Sequence, residues 1–285
     1  MKQKALAVYY SQTGQLRDII ENFMHPFVER YQVDYLEIKT DSYTFPLTLD
    51  AFFDAFPESV LGKTCQISYN SCDFNEYEIV VLGFQPWFVH LSVPFNSYVQ
   101  TEDFRNTIKG KTVFLVTDCR STWRNTLEFV SDKVHQFGGV VKGKFVFRDV
   151  SEGNIAGAFT LLNWLKKGKK DRMFNHYSLP GVDMETIKNA SQSGETALNI
   201  HESKHSQYNE LENCFIIPSE NDKEFSSRGY EEHIIQYFTK WAKYVTRNEK
   251  WRKWRLSIFK IWIFFSIIFV APFISKKAKK STNSK

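Results

Sequence analysis

The stretch Ala5-Leu6-Ala7-Val8-Tyr9-Tyr10-Ser11-Gln12-Thr13-Gly14-Gln15-Leu16 decides how the rest of the chain is read. Residues 5–10 form a short apolar run, and residues 11–15 are small or polar. From Leu16 the apolar residues fall at Leu16, Ile19, Ile20, Phe23 and Phe27, with Arg17, Asp18, Glu21 and Glu29 between them. A buried run followed by a period of 3.6 predicts strand, loop, helix. Pro26, late in the pattern, predicts a kink or an end there.

A loop of this kind, set between a strand and a helix, suits a phosphate. The first turn of a helix presents unpaired N–H groups and the positive end of the helix dipole. Ser11 and Thr13 add hydroxyls, Gln12 and Gln15 complete the loop, and Gly14 lets the backbone approach closely or take positive φ. The Gly-Lys-Ser/Thr of a nucleotide-triphosphate loop is absent. The same residues also make an ordinary N-capping turn, with Ser11 or Thr13 as cap. Placement after the first strand of an alternating pattern favours the phosphate.

That alternation runs on for about 150 residues. Tyr31–Ile38 reads as a second strand and Leu47–Phe56 as a helix. Tyr77–Phe84 (YEIVVLGF) is the most strand-like run in the chain. Helical spacing follows over Val93–Phe104, a strand over Lys111–Thr117, a helix over Arg124–Phe137 ended by Gly138-Gly139, and a strand over Val140–Phe147. Buried runs alternating with helices predict an α/β fold, a doubly wound parallel sheet covered on both faces. Ligands of such sheets bind beyond the carboxyl ends of the strands, where the strand order reverses. Beyond residue 150, helices are expected over 155–164, 184–190 and 230–244, and residues 189–213 read as a polar loop.

The net charge of +5 conceals an asymmetry. From Lys250 onward there are ten Lys or Arg and no Asp or Glu, so the body is mildly acidic and the tail strongly basic. An acidic body argues against a nucleic-acid partner. A basic tail rich in Trp and Phe points to membrane lipids. The four cysteines (Cys65, Cys72, Cys119, Cys214) show neither disulfide nor metal spacing, so no metal is expected. The amino-terminal apolar run is too short for a signal peptide, so the body is expected in the cytoplasm.

The S-x-T-G-x loop after the first strand, Gly83-Phe84-Gln85-Pro86-Trp87 after the third and Asp118–Trp123 after the fourth together resemble the flavodoxin superfamily over about residues 4–150. The resemblance implies FMN. Its phosphate would lie on Ser11, Gln12, Thr13, Gly14 and Gln15. Its ring would lie between Gln85, Pro86, Trp87 and Phe88 on one side and Asp118, Cys119, Arg120 and Trp123 on the other. Trp87 and Trp123 are the stacking candidates. Cys119 is a small apolar filler or a reactive thiol. Leu16 departs from the family, which commonly has Ser or Thr there.

A narrower likeness rests on YYSQTGQL, GFQPW, the length and the hydrophobic basic carboxyl end. These resemble the dialkylresorcinol-condensing enzymes (DarA type) of aryl-lipid pathways, which implies a ketosynthase and an acyl carrier protein as partners. Condensation needs an activated cysteine with histidine partners, and none is recognisable here. A flavin accepts hydride, so the expected reaction is oxidation of a 2,5-dialkylcyclohexane-1,3-dione, a hydrophobic small molecule, to the resorcinol. His90 and Asp118 are the candidate bases, and His176 and Tyr177 could cover the substrate. The alternatives are a membrane-associated NAD(P)H:quinone reductase, with NAD(P)H as second cofactor, and a non-enzymatic electron carrier.

Three regions are expected: residues 1–150 as the FMN domain, 151–249 as an extension over the substrate site, and 250–285 as a membrane-associating tail. The apolar segment Leu256–Ile274 would span the bilayer, lie in its interface or pack on the body. The protein is thus expected on the cytoplasmic side of a membrane.

Overall fold

The computed structural model describes residues 2–120, 122–149, 154–171, 179–203, 215–216 and 228–266. The first part of the chain runs β1 (Lys4–Tyr9), α1 (Gln15–Met24), α2 (Phe27–Arg30), β2 (Gln32–Glu37), α3 (Leu49–Val60) and β3 (Tyr77–Phe84). A small hairpin of β4 (Pro86–Trp87) and β5 (His90–Leu91) follows. Then come α4 (Val93–Val99), α5 (Glu102–Ile108), β6 (Thr112–Cys119), α6 (Arg124–Gln136) and β7 (Val140–Arg148). The remainder supplies α7 (Asn154–Lys167), α8 (Met184–Lys188), α9 (Ala190–Glu202), β8 (Phe215–Ile216), α10 (Arg228–Thr246) and α11 (Arg252–Phe265).

The main sheet has the order β2-β1-β3-β6-β7-β8, and every pairing in it is parallel. The first five strands follow the flavodoxin-like doubly wound order, whose reversal falls between β1 and β3. The chain therefore has a flavodoxin-like α/β fold with a helical carboxyl-terminal extension; the alternation of its sequence predicts the doubly wound parallel sheet.

Alternation along each strand builds two cores. Leu6, Val8 and Tyr10 join a cluster with Phe95, Phe104, Leu127 and Val134 from α4, α5 and α6. Ala5, Ala7 and Tyr9 face the other way, into a cluster with Leu16, Ile20 and Phe23 of α1 and Leu198 of α9. Both faces of the strands are thus withdrawn from water, which is why they read as unbroken apolar runs.

Three expectations are corrected. The helix expected over Val93–Phe104 is two, because the Thr101 side chain caps α5 by accepting from the Phe104 amide. The polar stretch expected as a loop over 189–213 contains α9. Its buried positions are mostly small (Ala190, Gly194, Ala197), and a Cβ on Gly194 would come within 1.9 Å of the Phe23 carbonyl oxygen. A helix seated by close backbone approach leaves little hydrophobic signal. The apolar tail begins its helix earlier than expected, at Arg252, and residues beyond 266 lie outside the described set, as do His176 and Tyr177. Among the described residues, no helix is long and apolar enough to cross a membrane.

A third apolar cluster lies outside the sheet. Phe56 and Val60 of α3, Val89 of the hairpin turn, Phe238, Ala242 and Val245 of α10 and Leu256 and Phe259 of α11 form it.

Candidate functional site

The loops after β1, β3 and β6 meet at the carboxyl edge of the sheet, and one side chain joins all three. Gln85 accepts from the Gln12 amide at 3.1 Å through Oε1 and donates to Asp118 Oδ2 at 3.1 Å through Nε2. An amide is suited to this bridge because it carries a donor and an acceptor on one planar group.

In the first loop, Gly14 sits at φ +86°, the left-handed region, directly before α1. Ser11 Oγ accepts from the Arg17 amide at 3.1 Å and Thr13 Oγ1 lies 3.5 Å from the Gln15 nitrogen. The loop is therefore a capping turn, and its Ser11 and Thr13 hydroxyls lie beside the start of α1. Gln15 behaves differently from its neighbours. Its side chain is buried and pairs in both directions with the Val182 backbone, at 2.9 and 3.0 Å. Its amide side chain holds the extension down, which leaves its backbone N–H as the group facing the loop.

Beyond β3, the β4–β5 hairpin turns at Phe88 and Val89, both with positive φ (51° and 70°). That backbone matches the twist of a two-residue hairpin but is unfavourable for a β-branched residue. The turn is held from outside: Phe88 packs on Phe52, Phe56 and Phe238, and the Val89 carbonyl accepts from Asn125 Nδ2 at 2.8 Å. Trp87 and Trp123 are 4% and 1% exposed, and Trp87 meets Tyr10 and Tyr43 edge-on. Both tryptophans serve as walls built into the core. Pro86 and Phe88 are half-buried.

His90 is half-buried, and its Nδ1 lies 3.0 Å from the Phe88 carbonyl oxygen, which makes Nδ1 the protonated nitrogen. Burial pushes its pKa below the usual histidine value, so the ring is neutral. No hydrogen bond among the described residues joins His90 to Asp118. Asp118 is itself buried, and burial raises its pKa to about 7 against the opposing hydrogen bond from Gln85. Cys119, half-buried at the end of β6, accepts from the Asp149 amide through its carbonyl at 2.9 Å. Arg120 is turned to Asp149, 2.8 Å away, and its guanidinium fills the space over Gly157 of α7, where a Cβ would come within 1.5 Å.

Several groups at this edge were not legible in the sequence. Asp149 also accepts from the Gly181 amide at 3.0 Å, tying the extension to the end of β7. Lys170 lies over the Trp164 ring, 4.7 Å from its centroid, within the fields of Asp149, Asp118, Asp18 and Asp183; its burial lowers its pKa and those carboxylates oppose the change. Glu231 of α10, 2% exposed, accepts from the amides of Trp123, Arg124 and Asn125 at 2.9, 3.2 and 2.9 Å. It caps α6 from a distant part of the chain, placing a negative charge where the helix dipole favours it.

The residues present fit a flat, polar-edged cofactor with a phosphate tail. Gln12 Nε2, Thr117 Oγ1 and Asp118 Oδ1 are buried and lack a hydrogen-bond partner among the described residues, as are Tyr10 OH and Trp87 Nε1. All belong to the ends of β1, β3 and β6 or the loops that follow. Each such atom costs about 1–3 kcal/mol unless a ligand or water meets it. No group of side chains that could hold a metal ion is found among the described residues.

Three flavoproteins are among the solved structures to which this chain is similar. One is a flavoprotein from Lactobacillus acidophilus NCFM in complex with FMN, 19% identical over 52% of this chain and 93% of its own, with a TM-score of 0.41. Another is the oxidised flavodoxin 1 of Bacillus cereus, 13% identical over 70% of this chain and 99% of its own, with a TM-score of 0.40. A flavodoxin from the domain Archaea is 11% identical over 70% and 99%, with a TM-score of 0.39. No protein-family model and no curated protein matches the sequence.

Proposed function

We propose that this chain is an FMN-dependent redox protein, and that it oxidises a lipid-like cyclic dione to an aromatic resorcinol. The observation that carries the flavin reading is the convergence at the β1/β3 reversal of a Gly14-turned loop with buried polar atoms that have no partner. Bound FMN would supply hydride acceptance. Ser11, Thr13 and the first backbone N–H groups of α1 would hold its phosphate, with Lys170 adding positive charge. Gln12 and Thr117 would meet the polar edge of the ring, which leaves Asp118 Oδ1 for the substrate. Trp87 and Trp123 keep water from that pocket.

The dione reading adds Asp118 as base. Oxidation removes a hydride and a proton from adjacent ring carbons, and bound FMN would supply the acceptor for the hydride. The proton goes to Asp118 Oδ1, whose raised pKa suits proton transfer near neutrality. The likeness to dialkylresorcinol-condensing enzymes in YYSQTGQL and GFQPW supports this substrate class, as does the size of the extension. A ketosynthase and an acyl carrier protein would then supply the dione.

The test is an anaerobic titration. Purified chain loaded with FMN is mixed with a synthetic dialkylcyclohexanedione, and the oxidised flavin band is followed. Bleaching by the dione, with resorcinol formed in equal amount, supports the reading. Bleaching by NADPH alone assigns a quinone reductase, and bleaching only by a partner protein assigns an electron carrier. Failure to bind FMN at all would remove the flavin reading itself.

A further inference from the structure

The two faces of α11 meet different surroundings. On one, Leu256 and Phe259 are 3% and 0% exposed, and the Phe259 ring stacks on Phe56 of α3 with centroids 3.8 Å apart. Arg252 pairs with Glu58 at 2.8 Å near the start of the helix, and Lys260 pairs with Asp50 further along. These contacts clamp the helix lengthwise against α3.

Half a turn away the helix is apolar again. Trp254, Ile258, Ile261 and Phe265 recur at i, i+4, i+7 and i+11, the spacing of a single helical stripe. Trp254 is 56% exposed, Ile261 60%, Phe265 54% and the neighbouring Phe264 46%. A helix on a soluble surface carries polar residues there. A contiguous apolar stripe open to solvent marks a surface that meets a partner.

Charge identifies the partner. Lys253 and Arg255 flank the stripe, and beyond Glu249 the sequence contains basic residues and no acidic ones. A second copy of the chain would bring two basic rims together. An anionic lipid surface would attract the rim and bury the stripe, and tryptophan suits the headgroup boundary. The sequence stays apolar over 267–274 and then carries Lys276, Lys277, Lys279 and Lys280, which extends the same chemistry.

We propose that α11 lies in the plane of an anionic bilayer, with Trp254, Ile261 and Phe265 at the acyl boundary. Its other face holds the body on the membrane through α3 and α10. Because that inner face is bolted to the protein, this part of the helix lies on the membrane and does not cross it. The same cluster holds Phe88 and Val89, so the seat of the membrane helix and the loop after β3 share a wall.

The test uses the full chain in vesicle flotation, with phosphatidylcholine vesicles that contain or lack phosphatidylglycerol. The wild type should float with the anionic vesicles and less so at high salt. Trp254→Asp/Ile261→Asp should weaken that binding at least about tenfold. Lys253→Glu, at an exposed site, should weaken binding to anionic vesicles alone by about fivefold. Circular dichroism checks that each variant is folded. Equal flotation with neutral vesicles would overturn the proposal, as would a folded double variant that floats like the wild type. So would a concentration-dependent dimer that the double variant abolishes while the wild type ignores vesicles.

Discussion

Gln85 Nε2 lies 3.1 Å from Asp118 Oδ2 and donates to it, the one hydrogen bond that a buried carboxyl group at the end of β6 draws from a neighbouring loop side chain. Its other oxygen, Oδ1, has no partner among the described residues. A pKa of about 7 in the fold exceeds the ordinary value of 3.8. Between those two pH values the folded chain keeps a proton that the unfolded chain has lost. Stability from this group is therefore full below about pH 4, and it falls by about 1.4 kcal/mol per pH unit until about pH 7. In Asp118→Asn that slope should vanish. Urea denaturation of the two proteins from pH 4.5 to 8 checks this, and parallel curves would refute it.

Glu231 should matter more to stability than its place on a surface helix suggests. Its carboxylate serves three amides of α6 at once. Glu231→Ala should cost about 1.5–3 kcal/mol or more, since the charge is lost and buried N–H groups are left unmet. Glu231→Gln keeps an acceptor and should lose less. Chemical denaturation of both variants decides it.

Alanine normally stabilises a helix relative to glycine, by up to about 1 kcal/mol. At Gly157 that gain should be offset. The added methyl meets the far end of the Arg120 side chain, so Arg120 must shift and its pairing with Asp149 is disturbed. Gly157→Ala should leave stability within about 1 kcal/mol of the wild type. A melting temperature raised by the full increment of an exposed helical glycine-to-alanine change would show that Arg120 is not held there.

If the loop at Ser11–Gln15 holds the phosphate as proposed, FMN affinities should follow a ranking. Gly14→Val forces a β-branched residue to φ +86° and should nearly abolish binding. Ser11→Ala/Thr13→Val removes two hydroxyls and should weaken binding about tenfold or more, equivalent to about 1.4 kcal/mol. Lys170→Met should weaken FMN more than riboflavin, because only FMN carries the phosphate. Quenching of flavin fluorescence measures each.

The parallel sheet, its helical cover and the first loop could be read from the sequence because their signals are local. An apolar run, Ser11-Gln12-Thr13-Gly14 and a change of period lie within a few dozen residues, and the inner strands β1, β3 and β6 bury both faces. The candidate ring loops were also visible, at Gln85–Phe88 and Asp118–Trp123. Their wiring was not. Gln85 reaches loops on either side, Glu231 caps a helix 108 residues upstream, and Gln15 turns from its own loop to Val182.

The same division explains α9, whose glycine and alanines register as polar-loop composition until α1 lies against them. It explains the tail as well. Its composition shows a basic, apolar segment, and only the stacking of Phe259 on Phe56 decided which face of α11 is spent on the body and which is exposed. Backbone preference and hydrophobic period act over one or two turns of chain. Pairing of buried polar groups and the choice of exposed face depend on what the fold brings alongside, and that only the tertiary structure decided.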